Sequence, residues 1–372
     1  LIEGPRGAGK SRLVRELIRE IEAEGGRVIH HACAENDPRP LAALRAIFDQ
    51  TAAALRRDEA ARADLRGRLG PDLAAFAGVL CPELAELLGA DVSYDAGLGA
   101  EAFTQAVADL VLELAASLGP LCVVADDGQW MDRTSAEVLT RVADRIGATR
   151  LLLAVATRAG EGRTSPALPR LVLTPFDGGR TAALVSDHLG HAVSEELVAW
   201  VARVSDGTPL GIVEVLDAML DAATLRPVDE VGRFDRARAE QMHLPRGALA
   251  LMERRVGALP PAARRVFESA ALLGRRFDAE VLADLHALSN DDLEFALADA
   301  RRAGLVEADA PGGHRFVHDA VREALLAGLD DETRATLNQR IARCLDGRGG
   351  ASPFTLAAHY AAGRPREDRG RL

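Results

Sequence analysis

The sequence predicts an α/β protein: a doubly wound parallel sheet, then an all-helical region, then a small domain of three helices and a hairpin. Three observations lead to this fold class. Over residues 1–175, short apolar runs alternate with amphipathic helical stretches, which is typical of a parallel sheet covered by helices. A glycine-rich turn joins the first apolar run to a helix. Beyond residue 175 helix follows helix, and strand patterns return only near residues 305–317.

Composition narrows the class of protein. The chain has 372 residues, 48% hydrophobic and 27% charged, which fits two or three globular domains and excludes disordered or collagen-like chains. No apolar run approaches the roughly 18 residues of a membrane span, so a soluble, cytoplasmic chain without membrane contact is expected. The four cysteines lie far apart and are expected to be reduced thiols. A net charge of -11 argues against binding nucleic acid through the bulk surface.

The glycine-rich turn at residues 4–11 reads GPRGAGKS and fits G-x-x-x-x-G-K-[ST], the phosphate-binding P-loop. Lys10 is the one lysine among 45 lysine and arginine residues, and it stands where a compact ammonium must reach the β- and γ-phosphates of a nucleotide. Residues 11–24 carry a helical apolar stripe, so the helix N-terminus is predicted to face the phosphates. Ser11 is predicted to bind Mg²⁺ through its hydroxyl. The predicted nucleotide contacts in this segment are Gly4, Gly7, Gly9, Lys10, Ser11 and Arg12.

A pair of carboxylates follows the next apolar run. Residues 121–125, LCVVA, predict a strand buried on both faces of a parallel sheet, and Asp126 and Asp127 come directly after it. Ligands of such sheets bind at the carboxyl ends of the strands. We therefore predict that Asp126 holds Mg²⁺ and that Asp127 activates the attacking water as a catalytic residue. The alternative is that the pair merely caps the following helix.

A third apolar run, residues 151–156, ends in Thr157 and Arg158. From that position Arg158 is predicted to sense the γ-phosphate as a second catalytic residue; the alternative is a solvated loop arginine. Another strand is predicted at residues 27–33. The remaining predicted helices of this part span residues 41–55, 101–118 and 134–146.

The second half predicts two helical parts separated by a linker. Helices are predicted at residues 181–189, 195–204 and 210–220, and residues 224–246, which contain charges and prolines, predict the linker. Helices at 262–273, 279–285 and 291–303 then lead to strands at 305–307 and 314–317 with a turn at 311–313, which together predict a winged helix. Further helices are predicted at 320–329, 333–345 and 355–362. The predicted domains are a nucleotide-binding domain (1–175), a helical lid and linker (176–245), a winged-helix domain with following helices (246–346) and the start of a helical repeat array (347–372).

Several of these segments together resemble a known family. The P-loop, the run LCVVADDGQWMD at 121–132, Thr157-Arg158, residues 207–210 (GTPL) and the run RFVHDAVREAL at 315–325 are similar in order and content to the STAND class of signalling ATPases. Within that class the chain most resembles the ATPase regions of large LuxR-type, MalT-like bacterial transcriptional regulators. The P-loop alone is generic, whereas the two longer runs are fairly specific.

The resemblance implies an ATP/ADP switch that uses Mg²⁺ and hydrolyses ATP slowly. It implies that Pro209 packs near the adenine and that His318 contacts the β-phosphate in the ADP state; from the residues alone, His318 also fits a structural histidine. Gln129 stands where the family usually has histidine, so no role is assigned to it. The family also implies self-association on activation, an inducer or protein partner bound through C-terminal repeats, and DNA bound only through a further C-terminal domain.

Other readings remain open. The chain opens inside the first strand and lacks the Gly-Arg-Glu segment that precedes it in the family, so we expect a piece of a longer protein. The rival function is an AAA+ loader or origin-binding ATPase that uses its winged helix on DNA. The acidic net charge favours the ATP/ADP switch, whereas a salt-dependent affinity for DNA would favour the loader or origin-binding ATPase. A metabolic P-loop kinase is a weaker third alternative.

Overall fold

The computed structural model describes residues 1–34, 39–90, 99–162, 168–222, 224, 234–309 and 313–363. The chain divides into two compact units. The first comprises Leu1–Gly4 and Lys10–Leu173, and the second comprises Pro5–Gly9 and Thr174–Leu372. The four domains predicted from the sequence are a finer division than these two units and remain a prediction.

The first unit is built on a five-stranded parallel sheet. Its strands in spatial order are β2 (Arg27–Ala32), β3 (Leu121–Asp126), β4 (Leu151–Arg158), β1 (Ile2–Gly4) and β5 (Leu171–Val172). In the register, Gly4 lies opposite Arg158 and Ala32 opposite Asp126. Strand β4 therefore lies between the strand that enters the P-loop and the strand that ends in the carboxylate pair.

Helices cover both faces of this sheet. They are α1 (Lys10–Ala23), α2 (Ala42–Arg57), α3 (Glu59–Arg68), α4 (Pro71–Leu80), α5 (Pro82–Leu88), α6 (Ala100–Leu118) and α7 (Arg133–Arg145). Successive residues of β3 enter different cores: Val123 packs in the core shared with α2 and α6, and Val124 packs against α1. This alternation explains why β3 reads as a continuous apolar run. Residues 59–88 form three short helices, α3, α4 and α5, which the sequence pattern did not predict.

The second unit begins with a group of helices. They are α8 (Gly178–Leu189), α9 (Glu195–Ser205), α10 (Pro209–Asp221), α11 (Arg236–Gln241) and α12 (Ala248–Gly257). The predicted linker at 224–246 was wrong in part, because it contains α11, whose Asp235 accepts a capping hydrogen bond and whose Ala239 is buried. Residues 225–233 of that linker lie outside the described residues.

A three-helix segment with a small antiparallel sheet follows. It consists of α13 (Pro261–Leu273), β6 (Arg276–Asp278), α14 (Ala279–His286), α15 (Asn290–Arg302), β7 (Val306–Ala308) and β8 (Gly313–Phe316), with strand order β6-β8-β7. The hairpin predicted from the sequence therefore has a third strand, β6, whose Phe277 packs on Phe316 with ring centroids 5.1 Å apart. Residues 311–312 of the predicted turn lie outside the described residues.

The chain continues through α16 (Asp319–Ala327), α17 (Asp331–Arg348) and α18 (Pro353–Ala362). Residues 364–372 lie outside the described part of the chain, so the predicted repeat array remains a prediction. The predicted fold class is confirmed: a P-loop-type α/β sheet is followed by helical regions and a small antiparallel sheet. Among the described residues, no helix has the length and apolar composition needed to cross a membrane.

The four cysteines are free thiols, as expected. Burial raises the pKa of Cys81 and of Cys122 to about 11. Because the thiolate is the reactive form, both side chains behave as packed apolar groups rather than nucleophiles.

Candidate nucleotide-binding site

The P-loop has the backbone geometry that its glycines allow. Gly7 and Gly9 have φ angles of +72° and +95°, a region that side chains with a Cβ rarely adopt. A Cβ on Gly9 would meet no atom within 4 Å among the described residues, so space is open beside the loop. The Lys10 ammonium lies 8% exposed and donates to the Gly4 carbonyl oxygen at 2.9 Å. Burial lowers the pKa of Lys10, and the carboxylate of Asp127 acts in the opposite direction.

The carboxylate pair lies buried at the carboxyl end of β3. Asp126 and Asp127 are 4% and 9% exposed, and the Asp127 N–H donates to Asp126 Oδ1 at 3.0 Å. Asp127 has a φ of +53°, which a non-glycine residue adopts only at some cost in free energy. The alternative of a helix cap is wrong, because α7 is capped by Asp132, whose carboxylate accepts from the Ser135 N–H at 2.9 Å.

Arg158 ends β4 and is held in place rather than solvated. Its side chain is buried, and its guanidinium lies over the Trp130 ring, 5.3 Å from the centroid. Arg158 Nη1 also lies 3.7 Å from Glu161 Oε2. The alternative of a solvated loop arginine is therefore wrong, because the guanidinium packs on the Trp130 ring.

Thr157 and Gln129 are polar residues of this edge to which the sequence analysis gave no site role. Thr157 is fully buried, and its Oγ1 has no hydrogen-bond partner among the described residues. Gln129 is 9% exposed in a short 3₁₀ turn, Gly128–Trp130, where Nε2 donates to Asp127 Oδ1 at 3.1 Å and Oε1 accepts from the Arg158 N–H at 3.2 Å. The signal in the sequence was a polar residue two positions after the carboxylate pair, next to Trp130.

Two other P-loop residues have contacts within the second unit. The Gly7 carbonyl accepts from the Leu210 N–H at 3.2 Å, and a Cβ on Gly7 would stand 2.9 Å from Leu210 Cβ. Pro209, just before Leu210, is the first residue of α10, a favourable place for proline. Arg6 forms an ion pair with Glu323 of α16.

His318 and the start of α1 are less well defined as site residues. His318 is the exposed residue that precedes α16, and it makes no capping hydrogen bond. Ser11 is half-buried in the first turn of α1, and Arg12 is exposed there. The assignment of these three positions to nucleotide or metal remains a prediction.

The residues present fit a nucleotide with Mg²⁺. Within the first unit, the buried Lys10 side chain and the Thr157 hydroxyl, which has no hydrogen-bond partner among the described residues, are both suited to phosphate oxygens. No group of three or more His, Cys, Asp or Glu side chains suited to a metal ion occurs in the described part of the chain. A Mg²⁺ ion bound with phosphates needs only one or two protein oxygens, which Ser11 and Asp126 would supply.

Comparison with known proteins assigns the first part of the chain. Residues 1–155 match the family model described as the AAA ATPase domain. This match covers 155 of the 372 residues, so it concerns the first part of the chain. The match ends within β4, so Thr157, Arg158, Pro209 and His318 lie beyond it.

Relatives of the whole chain are more distant. An uncharacterized protein of Rhizobium meliloti (strain 1021) is 26% identical over 374 residues, covering 92% of this chain and 34% of that protein. A STAND protein with a tetratricopeptide repeat sensor from Pyrococcus horikoshii has a similar fold, with a TM-score of 0.56 at 14% identity over 98% of this chain and 45% of that one. A RuvB variant of Thermotoga maritima aligns with a TM-score of 0.27 at 13% identity, over 85% of this chain and 93% of that one. The chain thus spans about a third of the curated relative and under half of the STAND structure.

Proposed function

We propose that the AAA ATPase domain and the helices that follow it form an ATP/ADP switch of the STAND type, with slow Mg²⁺-dependent hydrolysis. The observation that supports it is the edge of the parallel sheet, where Asp126, Asp127 and Arg158 are buried at the ends of the adjacent strands β3 and β4. Lys10 is buried at the start of α1, which follows β1. Buried charged groups are costly unless a partner or a ligand uses them. A nucleoside triphosphate is the ligand class whose charge suits this set.

Each residue has a separate part in the proposed reaction. Lys10 pairs with the β- and γ-phosphates, and Arg158 stabilises negative charge on the γ-phosphoryl group. The Asp127 carboxylate orients a water and accepts its proton as the water oxygen bonds to the γ-phosphorus. The bond from that phosphorus to the bridging oxygen breaks, and ADP leaves with the electron pair. Ser11 and Asp126 would hold Mg²⁺, which when bound would neutralise part of the phosphate charge.

Contacts of the P-loop support a switch rather than a simple hydrolase. The loop that would bind the phosphates also accepts from Leu210 of α10 and pairs through Arg6 with Glu323 of α16. His318 precedes α16, five residues before Glu323, so a β-phosphate contact from His318 would engage the same helix. A ligand shifts an equilibrium only by its differential affinity for two states. In this proposal, ADP and ATP differ in affinity for states in which the loop keeps or loses its contacts with α10 and α16.

The rival proposal, a winged helix that binds DNA, is disfavoured by charge. In helix-turn-helix proteins the later helix enters the major groove, a position that corresponds here to α15. In its N-terminal half, which would contact the bases, Asp291, Asp292 and Glu294 are exposed and acidic and would repel phosphates, whereas the exposed Arg301 and Arg302 lie in its last turn. If this chain binds DNA with an affinity that falls steeply as the salt concentration rises, the DNA-binding function would be favoured instead.

We extend the proposal to regulation of transcription on the strength of the sequence resemblance alone. In this proposal the switch belongs to a cytoplasmic LuxR-type regulator that self-associates when activated. An inducer or protein partner would bind through C-terminal repeats, and DNA would bind through a further C-terminal domain. The curated relative is about three times as long as the part that aligns, which leaves room for such regions in a protein of this kind.

Calorimetry with variants of Lys10 tests the binding step. Lys10→Ala removes the one ammonium of the loop and Lys10→Arg alters its shape, so we expect ATP–Mg²⁺ affinity to fall about tenfold or more in both. The matched control is Arg19→Ala, an exposed cation on the far part of α1, which should bind as the unaltered chain does. Equal binding by Lys10→Ala and the unaltered chain would exclude the P-loop as the site.

A further inference from the structure

Gln129 connects the two catalytic candidates of the sheet edge. Its side chain bridges Asp127 and the backbone of Arg158 through hydrogen bonds of 3.1 and 3.2 Å. The turn that carries it packs directly on β4, because a Cβ on Gly128 would stand 2.7 Å from Val155 Cγ1. Gln129 therefore joins the end of β3 to the end of β4 in a buried environment.

The orientation of this amide follows from its partners. A backbone N–H can only donate, so the oxygen of Gln129 must face Arg158. A carboxylate can only accept, so the nitrogen must face Asp127. Exchange of the two amide atoms would leave both bonds unmade in a buried place, which costs free energy at each.

We propose that Gln129 is a positioning residue for ATP hydrolysis: it holds the Asp127 carboxylate in the orientation that the attacking water requires. This inference rests on the proposed function. Asp127 has a left-handed backbone, with a φ of +53°, and such a conformation persists only where the surrounding groups hold it. The Gln129 amide nitrogen donates to Asp127 Oδ1, which restrains the orientation of that carboxylate. The bond that Gln129 accepts from the Arg158 N–H ties the carboxylate to β4, whose Arg158 is the residue proposed to act on the γ-phosphate.

The charge of the side chain at position 129 decides whether it can make both hydrogen bonds. An amide donates and accepts at the same time and keeps both roles at every pH between 5.5 and 8.5. A neutral imidazole can also do both, with one protonated and one bare nitrogen. An imidazolium has two donors and no acceptor, so it would lose the bond from the Arg158 N–H and add a cation near Lys10 and Arg158.

Two substitutions separate positioning from folding. Gln129→Leu keeps the approximate size and removes both bonds, and Gln129→His keeps both bonds only while the imidazole is neutral. The matched control is Gln105→Leu, which removes another Gln–Asp bond of the same unit, 3.0 Å long and located on α6. For each variant we would measure ATP–Mg²⁺ affinity and single-turnover phosphate release in the 372-residue chain at pH values from about 5.5 to 8.5, a range centred near the ordinary histidine pKa.

The expected pattern is specific to positioning. Gln129→Leu should bind ATP–Mg²⁺ within about threefold of the unaltered chain and cleave it about tenfold or more slowly, as expected when an interaction needed in the transition state is removed. Gln129→His should cleave at near the original rate at high pH, and its rate relative to the unaltered chain should fall as pH decreases through about 6.5. Gln105→Leu should change neither quantity. If Gln129→Leu does not fold, the pH profile of Gln129→His alone carries the test.

The outcomes distinguish this inference from the proposed function. An unaltered chain that binds ATP–Mg²⁺ without cleaving it, or fails to bind it, would overturn the proposed function and this inference together. A chain that cleaves ATP while Gln129→Leu cleaves at the same rate would overturn the inference alone. A rate ratio for Gln129→His that is independent of pH would also overturn it.

Discussion

The helix that carries Pro209 contains a buried acid whose charge should govern stability. Glu214 of α10 is 4% exposed, and its Oε2 lies 3.0 Å from Arg255 Nε of α12. Burial raises the pKa of Glu214 to about 7, with Arg255 lowering it and Asp217 raising it further. The ion-pair geometry suggests a charged acid, but removal from water outweighs one shared guanidinium, since Arg255 also lies 3.1 Å from Asp217.

The sign and size of the effect follow from linkage. The folded chain holds the Glu214 proton more tightly than the unfolded chain, so the free energy of unfolding falls as pH rises from 4.5 to about 7. Each pKa unit is worth about 1.4 kcal/mol, so the whole penalty is about 3 kcal/mol above pH 7. Between about pH 5.5 and pH 8, its change is about 2 kcal/mol. Glu214→Gln removes this titration. As pH rises from about 5.5 to 8, the free energy of unfolding of Glu214→Gln should therefore increase by about 2 kcal/mol relative to that of the unaltered chain.

Tryptophan fluorescence gives a direct assay. The chain has two tryptophans, and Trp200 packs in the core formed by α8 to α12. In a Trp130→Phe background, urea unfolding followed at Trp200 would report on the region that contains Glu214. The control, Glu196→Gln, alters an exposed acid of α9, and its free energy of unfolding relative to the background chain should not change with pH. A stability difference between Glu214→Gln and its background that stays constant from about pH 5.5 to pH 8 would refute the reasoning.

Two further predictions concern the nucleotide. Asp127→Asn should leave ATP bound but suppress hydrolysis, because an amide cannot accept the water proton, whereas Asp126→Asn should also weaken the dependence of binding on Mg²⁺. Phosphate release measured at several Mg²⁺ concentrations checks both, and equal turnover by Asp127→Asn would remove Asp127 from the mechanism. His318→Ala should speed ADP release by roughly tenfold, since a hydrogen bond to a charged phosphate is worth about 1.5 to 3 kcal/mol. Stopped-flow ADP dissociation tests this, and an unchanged off-rate together with a lower melting temperature without nucleotide would identify a structural histidine.

Local sequence pattern was sufficient for the main features of the first unit. The apolar stripe after the P-loop and the apolar run before Asp126 can each be identified from residues within one short segment. Lys10 can be identified from the spacing of the glycines just before it. Their predicted strands and helices agree with β3 and α1 within one or two residues. Periodicity suffices here because burial of a strand or helix face is decided by residue spacing along one element.

Some elements of the structure have only a weak local sequence pattern and were not predicted. Residues 59–88 break into three short helices, two of which begin at proline, and α11 lies in a charged segment that resembles a linker. The third strand of the small sheet, β6, has three residues and is defined by its pairing with β8. Elements this short depend on tertiary packing for their stability, so their own residues predict them poorly.

The sequence by itself determined which residue types could carry phosphate chemistry and on which kind of element each would lie. Only the tertiary structure decided how they are held. Gln129 reaches a backbone group 29 positions away, and Arg6 pairs with a glutamate on α16. A buried amide can bridge two strands only if those strands are neighbours in the sheet and if their donor and acceptor groups lie within hydrogen-bond distance of it and face it. Those quantities arise from packing among distant segments, and no periodicity within one segment encodes them.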